Sequence, residues 1–579
     1  MFKVFISIFF SFIFTQNLSL SLISKFGDGG KVNELSELNT VTDFQYMENL
    51  LDVNYLFKEN LHFYSQLEYT SPPLIGPYNN LFNQILNKYY IEYTKDRYRV
   101  KIGDLTYLSG YGMAINTSQD HTLDFDNMIR GVEAQYYIND DISIRTMMGS
   151  DRYSFRSVAS LDSSDFFYDK RIKHFEIQYD LFVGNDLFNI NNMSYTFLSD
   201  KSTHYKNQII NSTRSYISFY PNLIIKNDFS DRLDFGSIKD DEVNDNTHSL
   251  FTSGSLLKSD IYIEKTWIEY YKLLDDSPLN GSRFYFSIYR NFFGYDVTFD
   301  HLQYDAIYQM SNLMNPPICM YENNSPLTSR TTTTIDYNNA IANQIEIRKM
   351  FGDIEWMFNA SLFYKKVPHD DEGHITDNTI SFSDAMIYNI NNMEDYNKLK
   401  DFHPIQKMFT EASTWLLDYS FFLKIGFSSY KNLGSETSVE NVFTFPVHYS
   451  YKINNGSTIT GYLEYQNKEK ERNLFKDNGY YSQIYNTYYN SISYSFMYNY
   501  VVSLFYEVED YRYSDLEEIE EGTKKWYGMQ LSLRLLDNNS IEVFYGSQRG
   551  GLVCANGVCG VYPGFKDGFK VTLRLNYDR

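Results

Sequence analysis

The residue types that could do chemistry are concentrated in GDLTYLSGYGMAINTSQDHTLDFDNMIRG, residues 103–131. Alternating apolar and polar residues flank this stretch on both sides, as in strands with one apolar face. Asp104 and Arg130 fall on the apolar parity of their flanking strands. If that face meets lipid, each charge costs about 2–4 kcal/mol at mid-depth. We therefore expect the chain to leave the wall, bulge or reach the membrane interface between Asp104 and Arg130.

An inward excursion would carry a group of polar side chains, namely Asp104, Asp120, Asp126, Asn127 and Arg130. The backbone bends that it needs are permitted by four glycines, Gly103, Gly110, Gly112 and Gly131. Two interpretations stay open at this point. The excursion is either a polar constriction or ligand contact inside a channel, or a structural, salt-bridged turn at the rim of a barrel.

The second chemical feature is a pair of cysteines, Cys554 and Cys559, in the sequence GLVCANGVCG. Asn556-Gly557 between them predicts a tight hairpin tip. In an exported protein this pair favours a disulfide that closes a small loop. A single C-x₄-C pair is a weak zinc signal, because a structural zinc site needs four ligands. Cys319 is left over and is either free or part of a mixed pairing.

Catalytic signatures are lacking in this sequence. It contains no G-x-S-x-G elbow, no H-E-x-x-H helix and no phosphate-binding loop. The ten histidines stand in no recognisable signature, and the run at 369–374 is either a solvated acidic loop or a loose divalent-cation site. We therefore predict a protein that is not an enzyme, with no catalytic residues, no metal and no cofactor.

The elements that must position these residues are strands. In WYGMQLSLRLLDNNSIEVFYG, residues 526–546, the apolar residues keep one parity on both sides of the turn at 537–540. Residues 569–577 repeat the alternation almost at the chain end. This pattern is typical of outer-membrane barrels, which close their last strand on their first. The opposite parity would give a polar inward face, with Gln530, Ser532, Arg534, Lys570, Thr572, Arg574 and Asn576.

The first residues predict export. Lys3 precedes a largely apolar run at 4–14, and Ser19 and Ser21 are small residues suited to a peptidase. The run is too short to span a bilayer as a helix, and no later run reaches the ~20 apolar residues that a spanning helix needs. We therefore predict a cleaved signal peptide at 1–21 and a single barrel domain at 22–579. The alternative is an N-terminal membrane helix.

Composition agrees with an all-β membrane protein. Tyrosine (54) and phenylalanine (45) are abundant, which suits strands and the interfacial girdles of a barrel. Short turns alternate with long polar segments such as 227–259, 466–481 and 509–525. At ~10 residues per strand, the length predicts a large antiparallel up-and-down transmembrane barrel of roughly 16–24 strands, with short periplasmic turns and long external loops. A soluble sandwich, solenoid or propeller is the rival architecture.

The early stretch and the late YGSQRGGLVCANGVCGVYPGFKDGFKVTLRLNY, residues 545–577, together resemble an uncharacterised family of bacterial outer-membrane barrels, a domain of unknown function. The late motif is matched at Gln548, Arg549, Gly551–Cys554 and Gly557–Cys559. The early match is looser, at 119–121. The resemblance implies a barrel fold and an outer-membrane location, and it implies no activity.

The function predicted from these features is a porin-like channel or uptake port for small solutes in the Gram-negative cell envelope. The alternative is a non-enzymatic structural or assembly component of an outer-membrane complex, for secretion or surface display. Expected partners are outer-membrane lipid, an unspecified small solute and, in the alternative, other envelope proteins. A net charge of −22 argues against nucleic acid, because phosphate binding needs a basic face.

Overall fold

The fold is seen in a computed structural model of the 579-residue chain. The described residues are 17–32, 41–57, 59–72, 74, 86–120, 125–151, 154–155, 166–185, 188–206, 238–272, 279–305, 317, 319–321, 325–330, 340–365, 402–433, 438–453, 456–472, 481–497, 499–514, 519–536, 538–555, 558–562 and 564–578.

Twenty-four antiparallel strands form one sheet. Their bounds are β1 Leu18–Val32, β2 Val41–Phe57, β3 Leu61–Thr70, β4 Leu86–Lys95, β5 Tyr98–Leu105, β10 Ile129–Tyr137, β11 Ile142–Asp151, β13 Phe166–Asn185, β14 Phe188–Lys206, β15 Ile238–Leu256, β16 Ser259–Lys272, β17 Leu279–Phe292, β18 Tyr295–Asp305, β19 Ala340–Phe351, β20 Ile354–Lys365, β21 Ile405–Leu416, β22 Phe421–Leu433, β23 Ser438–Ile453, β24 Ser457–Arg472, β25 Tyr481–Phe496, β26 Tyr500–Ser514, β27 Ile519–Leu536, β28 Asn539–Gln548 and β31 Gly564–Asp578.

Among the described residues, seven shorter strands and one 3-10 helix lie in the connections between these long strands. They are β6 Tyr107–Leu108, β7 Asn116–Thr117, β8 Gln119–Asp120, β9 Phe125–Asp126, β12 Ser154–Phe155, β29 Gly551–Ala555, β30 Val558–Tyr562 and the helix Thr328–Arg330.

The sheet is a closed up-and-down barrel. Each long strand pairs with the next long strand along the chain, and β31 pairs with β1, with Leu22 opposite Leu575. The predicted closure of the last strand on the first is confirmed, and the strand number equals the upper end of the predicted range. Closure leaves no edge strand, so every wall strand has two neighbours.

The two faces of the wall differ in chemistry. On β5, Ile102 is 51% exposed whereas its neighbour Lys101 is 6% exposed. On β10, Val132 is 46% exposed whereas its neighbour Glu133 is 1% exposed. The outward face is therefore apolar and the inward face carries polar and charged groups. This arrangement suits a barrel that stands in a bilayer.

Short turns collect at one end of the barrel and longer connections at the other, which we call the turn end and the loop end. At the turn end β4 and β5 are joined at 96–97 and β17 and β18 at 293–294, whereas at the loop end β5 and β10 are joined by 106–128. Three predicted loops were wrong in part. β15 occupies 238–256, β24 runs to residue 472, and β26 and β27 cover most of 509–525.

The physical reason for this error is strand length. β13 has 20 residues and β14 and β15 have 19 each, whereas about 9–11 residues span a bilayer. The surplus lies at the loop end beyond the membrane, where both faces of a strand can be polar. Alternation is lost there, and the acidic run at 239–245 therefore looks like a loop in the sequence although it pairs as a strand.

The N-terminal strand begins at Leu18, so the predicted signal boundary at residue 21 falls inside β1. Leu20 and Ser21 lie opposite Tyr577 and Asn576 of β31. The cleavage position stays a prediction. Within the part of the chain that the structure describes, no helix is long and apolar enough to cross a membrane.

Candidate functional site: connections folded into the lumen

The connection between β5 and β10 folds into the barrel as a small hairpin, which we call the inner hairpin (residues 107–117). β6 pairs with β7, with Tyr107 opposite Thr117. The tip is a tight turn in which the Gly112 N–H donates to the Ser109 carbonyl at 2.9 Å. Gly110 has φ +55°, and a Cβ there would lie 2.6 Å from Glu264 Oε2. The G-Y-G sequence therefore supplies the bend that the tip needs where it meets the wall.

Two wall glutamates hold the tip of the inner hairpin. Ser109 Oγ donates to Glu176 Oε1 of β13 at 3.1 Å. The Tyr111 N–H lies 2.9 Å from Glu264 Oε2 of β16, which also accepts a 2.6 Å hydrogen bond from the Tyr262 hydroxyl. Glu264 is fully buried although it faces the lumen. The hairpin, which leaves the wall at β5, thus docks six strands further round the barrel.

Aromatic side chains surround this docking point. The ring of Tyr111 packs on that of Tyr262, with centroids 4.0 Å apart, and meets the ring of Tyr285 edge-on at 5.3 Å. Burial raises the pKa of the Tyr111 hydroxyl. Next to it Met113 enters an apolar cluster that also contains Cys319 from another connection. The inner hairpin therefore packs against an apolar cluster formed by wall strands and a second connection.

The connection between β18 and β19 also enters the lumen. The N–H groups of Leu327 and Thr328 donate to the two carboxylate oxygens of Glu464 on β24, at 2.8 and 2.9 Å. Thr328 Oγ1 donates to the same carboxylate at 2.8 Å, and Gln466 Nε2 donates to the Leu327 carbonyl at 3.1 Å. Tyr321 stacks on Phe409 of β21, with centroids 5.1 Å apart. This segment crosses from β18 to a wall strand six positions away.

Asp104 and Arg130 lie directly opposite one another on β5 and β10. Arg130 Nε and Nη2 lie 2.9 and 3.0 Å from Asp104 Oδ1 and Oδ2, a two-pronged ion pair. Asp104 Oδ2 also accepts the Tyr89 N–H at 2.8 Å. Gly103 has φ +121°, and a Cβ there would lie 2.2 Å from the Tyr89 carbonyl oxygen. Both strands thus run through the charged positions, and the excursion begins only after Leu105.

The other predicted site residues of this stretch lie apart from that ion pair. Asp120 and Asp126 are on the paired strands β8 and β9, and β9 pairs in turn with β12 of the next connection. Asn127 is fully buried: its Oδ1 accepts the Ser118 N–H at 2.6 Å and its Nδ2 donates to the Asn116 carbonyl at 2.7 Å. Asn127 therefore ties the base of this segment together.

Gly131 and the late motif lie on or near wall strands. Gly131 is in β10, opposite Gly103 of β5. Gln548 ends β28 and accepts a hydrogen bond from Lys570 Nζ at 2.8 Å, while Arg549 turns into the lumen. Gly551 begins β29; Gly557 lies outside the described residues.

The cysteine pair stands in register on a small antiparallel hairpin. β29 pairs with β30, and Cys554 lies opposite Cys559. The disulfide between them stays a prediction. Cys319 is free and buried, and burial raises the pKa of its thiol well above the ordinary value.

The residues missed by the sequence interpretation are the wall glutamates Glu176, Glu264, Glu464 and Glu507. In the sequence they are ordinary polar positions of alternating strands, and nothing local marks their partners. The cation site considered at 369–374 lies outside the described residues. Among the described residues, no group of three or more His, Cys, Asp or Glu side chains could hold a metal ion.

Fold and site define a class: a large β-barrel of the outer-membrane type whose lumen holds inward-folded connections. Residues 17–170 match the model of a family described as Family of unknown function (DUF6029). The expected resemblance to an uncharacterised barrel family is confirmed on this early part, which includes the whole inner hairpin. None of the curated proteins with which the sequence was compared matches it.

The chain is similar to several solved structures at low sequence identity. OccK3 (OpdO) of Pseudomonas aeruginosa has a TM-score of 0.35 and 9% identity, over 73% of this chain and 94% of its own. The ferric-catecholate import receptor Fiu of E. coli K12, in its closed form, has a TM-score of 0.42 and 9% identity, over 97% and 82%. The siderophore receptor PirA of P. aeruginosa has 0.37 and 8%, over 97% and 80%. Similarity at this level says nothing about the function of this chain.

Proposed function

We propose that this protein is an outer-membrane barrel that acts as a porin-like uptake port for small solutes, with a lumen closed by its own connections. The observation that supports it is the polar inner wall. Glu264, Thr266 and Arg283 face the lumen on β16 and β17 and all three are buried, Glu264 beneath the inner hairpin. A wall built to be only a packed core would not need charged groups at these positions.

The way in which the connections are held also supports a port. The inner hairpin and the β18–β19 connection bind the wall through hydrogen bonds to carboxylates, at Glu176, Glu264 and Glu464. Water can replace such bonds at a net cost of about 1.5–3 kcal/mol each. Connections held in this way can leave the lumen, and the wall that they uncover is suited to a hydrated solute.

The same architecture supports a location in the outer membrane. A closed barrel with an apolar outer face satisfies its backbone polar groups inside a bilayer. In this proposal the turn end faces the periplasm, the loop end faces outward, and a signal peptide removed during export delivers the chain. We propose no catalytic activity for it.

Planar-bilayer recording of the purified protein tests the port. We expect rare, small openings for the wild type, and larger, longer ones when a Gly-Ser link replaces residues 107–117. Heat-modifiable migration on gels and a β-rich circular dichroism spectrum verify that each variant is folded. If the folded wild type and the folded variant without the inner hairpin both carry no current, the port is refuted.

A second candidate function is a structural or assembly component of an envelope complex. The observation that favours it is the occupied lumen itself: the inner hairpin reaches from β5 to β16, and the β18–β19 connection reaches β24. A barrel that only holds a complex together needs no passage. The same recordings separate the two candidates, because an assembly component stays silent after the hairpin is removed.

A further inference from the structure

The arginine of the late sequence motif makes a contact that the port alone does not explain. Arg549 follows β28 and points into the lumen, where its Nη1 lies 3.1 Å from Glu507 Oε1 and its Nη2 lies 2.5 Å from Glu509 Oε2. Its guanidinium also lies over the ring of Trp526, 5.1 Å from the centroid. Glu507 and Glu509 share the inward face of β26, and each is only 3% exposed. One arginine of the β28–β31 connection therefore binds two buried carboxylates.

A second arginine reaches the same carboxylate from a different connection. Arg330 ends the 3-10 helix of the β18–β19 connection, and its Nη1 lies 2.6 Å from Glu507 Oε1. The two arginines are 219 positions apart in sequence (549 − 330). Strand β29 of the β28–β31 connection lies against the helix that Arg330 ends. Glu507 is thus shared by two connections that also touch each other.

We propose that Arg330, Glu507 and Arg549 form a latch that couples the β18–β19 and β28–β31 connections, so that both leave the lumen as one gate. This inference rests on the proposed port. The physical basis is charge balance. Two arginines neutralise the two carboxylates of β26, and removing either arginine leaves a buried net negative charge that favours entry of water. A connection that loses its own arginine therefore loosens its neighbour as well.

The chain carries its own reporter for this gate. Cys319 lies in the β18–β19 connection, in the apolar cluster with Met113 rather than in the latch. Alkylation needs an exposed thiolate, so the closed connection protects this thiol and an opening exposes it. Arg549 belongs to the other connection, and an effect of Arg549 on Cys319 measures the coupling.

The experiment follows alkylation of Cys319 by N-ethylmaleimide in the full-length barrel in proteoliposomes, without reductant, with the label located by mass spectrometry. We expect Arg549→Ala to raise the rate about tenfold, a moderate effect because both arginines are partly exposed to water. Arg330→Ala should raise it at least as much. The matched control is Arg512→Ala, which removes an arginine that pairs with Glu521 at the loop end and should change the rate less than twofold.

Coupling is judged from the combined variant. If one latch holds both connections, Arg330→Ala with Arg549→Ala gives an increase well below the product of the two single increases. An unchanged rate in Arg549→Ala beside a raised rate in Arg330→Ala would show two independent connections and overturn the latch. If Arg549→Ala does not fold, Arg549→Gln removes the charge but keeps a polar side chain of similar length, and an unchanged rate in that variant overturns the latch equally.

This readout does not require conduction. A barrel that carries no current but shows coupled labelling refutes the port and keeps the latch. A conducting barrel with uncoupled labelling keeps the port and refutes the latch.

Discussion

Removing either member of the Asp104–Arg130 ion pair should destabilise the barrel and leave ion selectivity unchanged. The pair holds three neighbouring strands together, since Asp104 also accepts the Tyr89 N–H of β4. It stands where the excursion into the lumen begins, on the lipid-facing parity of β5 and β10. A side chain on that parity sets no field across the pore, whereas a charge in a constriction would.

The magnitude follows from the burial of the two side chains. Asp104 is 1% exposed and Arg130 is 11% exposed. Breaking a buried pair by removing one partner costs about 3–5 kcal/mol. Arg130→Ala leaves a short, immobile carboxylate behind and should cost ~3 kcal/mol by that rule. Asp104→Ala should cost less, roughly 2 kcal/mol, because the long arginine side chain can move its charge to the interface.

The assay is reversible urea unfolding of the barrel in lipid vesicles, read beside reversal potentials in a salt gradient. The double variant, Asp104→Ala with Arg130→Ala, should lose less unfolding free energy than the sum of the two single losses. We expect the difference to be about 1 kcal/mol or more. Arg171→Ala is the control, because Arg171 is exposed on the same row of the wall, across β11 from Arg130. Losses that simply add, or a selectivity shift toward cations in Arg130→Ala, would refute the structural role and restore the constriction.

Three further outcomes can be measured separately. Cys554 and Cys559 should resist alkylation until a reductant is added, and labelling of both in the unreduced barrel would rule out the disulfide. The mature N-terminus should lie at or before Leu18, because β1 pairs with β2 from Leu18 and with β31 from Ser19; N-terminal sequencing that begins after Leu18 would contradict this. Gly110→Ala should speed labelling of Cys319, since a Cβ there collides with Glu264 Oε2, and an unchanged rate would show that the hairpin tip does not depend on the glycine.

The wall was predictable because its information is local. Alternation of apolar and polar residues assigns the faces of a strand, short polar turns fix the neighbours, and closure of residues 569–577 on the first strand follows from the up-and-down order. The parity of Asp104 and Arg130 also predicted a change in the wall at 103–131, where the structure has the connection 106–128. It could not show that the two charges pair with each other before the chain turns inward.

The contents of the lumen were not predictable in the same way. Tyr111 and Glu264 are 153 residues apart, and Leu327 and Glu464 are 137 apart. Lumen-facing polar residues satisfy the alternation rule whether they meet water or a folded connection. A glutamate in a strand therefore has the same sequence pattern in both cases, and only the three-dimensional placement of the connections distinguishes them.

One device recurs where connections meet the wall. Glu48, Glu264 and Glu464 lie on β2, β16 and β24, and each accepts backbone N–H groups from a connection, at Leu74, Tyr111 and Leu327–Thr328 respectively. A carboxylate offers about four acceptor positions, so it can bind the clustered N–H groups of a tight turn whatever side chains that turn carries. Such anchors keep the position of a connection fixed while its side chains vary, and at a net cost of about 1.5–3 kcal/mol per bond they can still release it. In the proposed port, connections held by anchors of this kind are therefore better suited to a gate than to a permanent filling.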